Sequence, residues 1–180
     1  MAWQVKPKET DTKPKQYFAY SVSLDADFRA QWRSASGVGL PKLEGVVAEL
    51  GGYELVYRSF HPRWSGRIAG LEPGAGRVFG KVFEVQAAQW PLIEELERSL
   101  NAKPIEVEVV AGGKKVKAYA FVPTPQGRAD SLVSESFVAA LVRGAAQARL
   151  PAAYVGQLEA EASILEAVQR FGREQLGVKS

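Results

Sequence analysis

The groups able to do chemistry in this 180-residue sequence are defined first by what is missing. There is no cysteine and a single histidine, His61. A thiol nucleophile, a thiolate zinc site and a multi-histidine metal centre are therefore excluded. A serine–histidine pair would have to use His61. Proton handling falls to carboxylates, lysines or tyrosines. Three glutamates, Glu94, Glu95 and Glu97, share one short segment with helical spacing. Glu97 lies one position past Leu96 and four past Ile93, at the edge of the apolar stripe. Glu94 and Glu95 face solvent. On spacing alone Glu97 reads as a solvated glutamate or a partner of Arg98.

Two other clusters invite a functional reading. The stretch Arg58-Ser59-Phe60-His61-Pro62-Arg63-Trp64-Ser65-Gly66-Arg67 interleaves three arginines with Phe60 and Trp64. Such a set can recognise a carboxylate or phosphate with aromatic stacking. The simpler reading is an irregular loop whose aromatics pack inward and whose arginines are solvated. Gly74-Ala75-Gly76 is a turn and no phosphate loop, because a strand follows it and no lysine with Ser/Thr stands at the required spacing.

The elements that must position these groups are short. Residues 1–16 mix Lys, Pro, Thr, Glu and Asp with little apolar content and read as a flexible leader. Tyr17-Phe18-Ala19-Tyr20 is a buried strand running into the turn Ser21-Val22-Ser23. Asp25 caps a short helix to Trp32. Strands follow at 43–50, 53–57, 68–71 and 77–85, with Glu72 to Gly76 between the last two as a turn. Gln86 to Leu100 is a helix with Pro91 in its first turn. Ile105–Val110 and Lys115–Val122 alternate around Ala111-Gly112-Gly113 as a hairpin. Ser131 to Arg149 is helical, and a second helix starts at Pro151, carries Tyr154, Leu158, Leu165 and Val168 on one stripe, and runs to about Leu176. This order predicts an α+β domain whose mixed sheet curls around a core.

Composition sets the class. Hydrophobic residues are 46% and charged residues 24% of the chain, ordinary for a soluble globular domain. Of the net charge of +3, +2 lies in residues 1–16, so the remaining body is nearly neutral. Nucleic acid is not an expected partner. No apolar run approaches the roughly 18 residues of a membrane span, so no membrane association is expected and the default location is cytoplasmic.

Several stretches, in order, resemble the gamma-glutamylcyclotransferase-like superfamily, which includes AIG2-like proteins. Tyr17 to Tyr20 resembles the strand that leads into the family's Tyr-Gly-Ser-Asn turn. Gly52-Tyr53-Glu54-Leu55-Val56-Tyr57 is similar to its second core strand. Gly66 to Gly74 and Val78 to Val85 resemble its central hairpin. Leu92-Ile93-Glu94-Glu95-Leu96-Glu97 resembles its Leu-Asp-x-x-Glu segment, and Leu150-Pro151-Ala152-Ala153-Tyr154 its Leu-Pro-x-x-Tyr. The resemblance covers roughly residues 17–160 and implies a small mixed β-barrel flanked by helices. The domain expected from it is 17–158, with 159–180 as a C-terminal helical extension that docks on the barrel or contacts a partner or second copy.

The resemblance also implies a reaction: release of 5-oxoproline from a gamma-glutamyl amide by attack of the substrate's own amine. It assigns Glu97 as general acid/base and Tyr20, Ser21, Val22, Ser23 and Leu24 as the substrate-binding turn. Neither metal nor cofactor is required. The partner is then a small gamma-glutamyl substrate. If activity has been lost, the barrel is a non-catalytic scaffold for a ligand or protein.

The departures from the family pattern favour the scaffold, whereas Glu97 at the family position favours the enzyme, the reading carried forward. Ser21-Val22-Ser23 replaces Gly-Ser-Asn. If the turn needs positive φ, serine strains it and β-branched Val22 resists it. The glycine after the family's glutamate is Arg98, a cation expected to hold Glu97 ionised and lower its pKa.

Overall fold

The computed structural model describes residues 12–127 and 131–177. Five strands, β1 (Lys15–Ala19), β2 (Gly45–His61), β3 (Gly66–Val85), β4 (Ala102–Ala111) and β5 (Lys114–Pro123), form a closed barrel in the order β1-β3-β2-β4-β5. Neighbours are antiparallel, except that β1 and β5 meet in parallel at Tyr17 and Tyr119. Four helices accompany it: α1 (Ala26–Gln31), α2 (Trp90–Arg98), α3 (Glu135–Gln147) and α4 (Ala152–Gln175). The architecture is the α+β mixed barrel with flanking helices. No helix among the described residues is long and apolar enough to cross a membrane.

The period-two alternation of the strands creates two cores. Phe18 of β1 and Tyr20 just beyond it join Leu50, Val78, Val109 and Ala120 in a cluster drawn from all five strands, the barrel interior. Tyr17 and Ala19, one step out of phase, join Trp90, Ile93, Phe137 and Leu141 between barrel and helices. β1 and β3 are closely apposed where they pair. A Cβ on Gly80 would lie 2.2 Å from the Ala19 carbonyl oxygen, so only glycine allows this approach.

Several local expectations are corrected. The segment 72–76 does not end a strand. β3 continues through it, and residues 74–76 bulge out opposite Gly52, where the β2–β3 register shifts between Gly51 and Tyr53. The segment 58–66 is mostly strand, since β2 continues to His61 and pairs it with Gly66. Only Pro62–Trp64 forms a short 3-10 turn. α3 starts at Glu135, where the Ser134 hydroxyl accepts from the Phe137 amide at 3.1 Å and caps the helix. Of the expected leader, residues 1–11 lie outside the described residues, while Lys15 and Gln16 open β1.

α4 runs unbroken past residue 158. Tyr154 and Leu158 face inward, but Val168 is exposed and its neighbour Gln169 is buried, donating to the Val133 carbonyl at 3.2 Å. The outer face of the helix carries Ile164, Val168 and Phe171, each more than 60% exposed.

Candidate active site

Glu97 owes its position to α2. The helix buries Trp90, Ile93, Leu96 and Glu97. Seven residues after Trp90, about two full turns on, the glutamate returns to the face that presses on the barrel. It therefore lies within the apolar stripe and not at its edge. Arg98, one step further round the helix, is exposed and lines a surface groove with Glu94, Asn101 and Lys103.

The Glu97 carboxylate accepts a hydrogen bond from the Tyr17 hydroxyl of β1. Burial pushes its pKa from the ordinary 4.5 up to about 7, while hydrogen bonds from Tyr17 and Ser23 pull it down. This corrects the expectation that Arg98 would lower it. Adjacent in sequence, the guanidinium leaves on another face, and desolvation prevails. Burial likewise raises Tyr17 and Tyr20 well above the ordinary phenol value, with the Glu97 charge adding to both. Both phenols are therefore neutral donors near pH 7. The Tyr20 hydroxyl donates to the Phe121 carbonyl at 2.6 Å.

The 21–24 turn lies against this carboxyl without the expected strain. Ser21 has φ −125°, and Val22–Leu24 forms a 3-10 turn closed by Leu24 N–H to Ser21 O and Asp25 N–H to Val22 O, both 2.9 Å. Among the described residues, the non-glycine positions with positive φ are Ser65, Asn101 and Arg149, none of them in this turn. Serine and valine are tolerated because this route needs no left-handed residue. Of the five turn residues, Tyr20, Ser21 and Ser23 line a cavity with Glu97, together with Phe121 and Phe137. Val22 and Leu24 do not line it; they are buried in the layer that contains α3.

α3 fixes the turn in place. A Cβ on Gly144 would lie 2.6 Å from Asp25 N and 2.9 Å from Leu24 C, so glycine permits backbone contact there. Asp25, fully buried, receives Arg143 Nε at 3.0 Å and Nη2 at 2.5 Å, and its Oδ1 caps α1 by accepting from the Asp27 amide at 3.3 Å. The resulting cavity is small, about 10 Å³, which is room for about one water.

Residues missed by the sequence reading are Tyr17, Asp25 in its pairing role, and Arg143. The signal for Tyr17 was a phenol in an otherwise apolar strand, whose hydroxyl needs a partner once buried.

Residues 77–158 match the AIG2-like family. A solved gamma-glutamyl cyclotransferase is similar with 22% identity over 82% of this chain and 88% of its own, TM-score 0.67. An uncharacterized protein from Homo sapiens is 23% identical over 82% of this chain and 88% of its own, TM-score 0.65. YkqA from Bacillus subtilis is 24% identical over 83% of this chain and 54% of its own, TM-score 0.66. No curated protein matches the chain by sequence. The AIG2-like match spans a little under half of the chain, and the barrel shares the fold of these solved structures.

Proposed function

We propose that the chain releases 5-oxoproline from a gamma-glutamyl amide, with Glu97 as general acid/base. The carrying observation is a buried carboxyl whose pKa is near 7, poised to gain or lose a proton at neutral pH. The ionised fraction of Glu97 takes a proton from the substrate ammonium. The freed amine attacks the side-chain carbonyl carbon, forming the ring C–N bond. The bond to the leaving amine then breaks as that nitrogen receives the proton from Glu97, and the ring nitrogen gives its remaining extra proton to the regenerated Glu97 carboxylate, which passes it to the departing amine or to solvent. Tyr17 and Ser23 orient the carboxylate. The first amides of the 3-10 turn have no partner within it, and with the Ser21 and Ser23 side chains they offer donors to the developing oxyanion or the substrate carboxylate. None of these steps uses a metal, a thiol or a histidine. A substrate needs more room than the present cavity, so the wall of Phe121, Pro123 and Phe137 must part to admit it.

The cavity's size favours a second reading, a barrel that has kept the carboxyl but serves as a binding scaffold. The two are separated by incubating the full chain with gamma-glutamyl dipeptides and gamma-glutamyl amines and measuring 5-oxoproline. The expected result is turnover that falls at least about a hundredfold in Glu97→Gln. Turnover surviving that substitution refutes the role of Glu97. Absence of turnover on every substrate, with saturable ligand binding, supports the scaffold.

A further inference from the structure

The 3-10 turn after β2 builds a second pocket that contains none of Tyr17, Ser23 or Glu97. It encloses about 200 Å³ and is lined by Phe28, His61, Arg63, Trp64, Ser99 and Leu100. Leu100 is the wall it shares with the Glu97 cavity.

Its chemistry is mixed in the way small-ligand sites are, an apolar face with a few placed polar groups. Phe28 and Trp64, both partly exposed, stand with ring centroids 6.0 Å apart, and Trp64 is held from behind by an edge contact with Phe137 at 5.1 Å. Arg63 is exposed and has no ion pair among the described residues. His61 is buried, with Nε2 2.8 Å from the Ser99 carbonyl and Nδ1 without a hydrogen-bond partner. A carbonyl only accepts, so Nε2 carries the proton. Nδ1 is then an acceptor without a hydrogen-bond partner beside the pocket.

The backbone holds this set in place before any ligand arrives. Ser65 closes the turn at φ +50°, a left-handed conformation that is uncommon for serine, with its N–H on the Pro62 carbonyl at 3.0 Å. Non-glycine residues in such regions persist where surrounding structure fixes them, often at ligand sites. A fixed aromatic wall and a nearby guanidinium lower the ordering cost of binding.

We propose that this pocket binds a small aromatic carboxylate, its ring against Trp64 and Phe28 and its anion on Arg63. The site is independent of the reaction proposed at Glu97. The test is isothermal titration of the full chain with phenylacetate and with its neutral amide, phenylacetamide. Phenylacetate is expected to bind saturably, one per chain, and phenylacetamide at least tenfold more weakly. Arg63→Gln, a surface change whose folding a thermal melt verifies, is expected to erase that difference. Trp64→Ala is expected to weaken both ligands, and Glu97→Gln to leave phenylacetate binding unchanged. The proposal is overturned if phenylacetate gives no saturable heat, if acid and amide bind alike, or if their difference survives in Arg63→Gln. Loss of binding in Glu97→Gln overturns it too, by moving the ligand to the other cavity.

Discussion

Asp25 and Glu97 are buried carboxylates on either side of the 22–24 turn, yet Asp25 has a guanidinium on both oxygens whereas Glu97 has only hydroxyls. The burial is similar, and the partners separate the two. The guanidinium on both oxygens makes Asp25 a clamp between turn and α3. Neutral donors leave Glu97 with the desolvation cost of its charge, and the proton becomes its cheapest counter-ion. Burial without a cation is what raises the Glu97 pKa.

The largest effect expected from this contrast is on the pH dependence of stability. The unfolded chain loses the Glu97 proton near 4.5 and the folded chain near 7. Between those values the folded state binds more protons, so stability falls as pH rises through that window. The loss is on the order of 3 kcal/mol, complete above pH 7. Denaturant titrations of Glu97→Gln should lack this slope, and at pH 8 the variant should be the more stable protein. An unchanged slope would place the proton uptake elsewhere.

The next effect concerns the clamp. Arg143→Met leaves the Asp25 carboxylate buried without its cation. Arg143 is about half exposed, so solvent screening moderates the loss, which should read as a lower urea midpoint. A negligible shift would show that water replaces the guanidinium.

The smallest effects contrast two glycines. Gly144→Ala drives a methyl into the Asp25 backbone and should cost about 1–3 kcal/mol. Gly156→Ala, within α4 and facing open space, should gain up to about 1 kcal/mol. If both are neutral, the turn and α3 are not in rigid contact.

The strands of the 105–122 hairpin and the helix of residues 90–98 were legible in the sequence, because alternation and 3.6-residue spacing are local signals. Continuity of β2 and β3 was not. Gly52 and Gly74-Ala75-Gly76 carry turn chemistry, and only the partner strand shows that they form a bulge inside an unbroken ladder. The depth of Glu97 was written in its spacing from Trp90, but Arg98 distracted from it, since sequence neighbours on a helix leave in different directions. The strain expected at Ser21 and Val22 assumed a left-handed turn, and the chain takes a 3-10 route instead. Tyr17 and Arg143 reach their carboxylates across 80 and 118 positions of the chain, and no local pattern reports such contacts.

Tyr17 has a double position: its hydroxyl holds Glu97, and its backbone is where β1 meets β5. That seam joins the first and last strands, the most distant contact along the barrel and a slow one to form. A chain emerging from the ribosome has Glu97 in hand well before β5 exists. Until the seam closes, that side chain is an ordinary acid in water. Its raised pKa needs burial, and β5 and α3 both wall its cavity, so the state of one proton reports whether strand and helix have closed over it together.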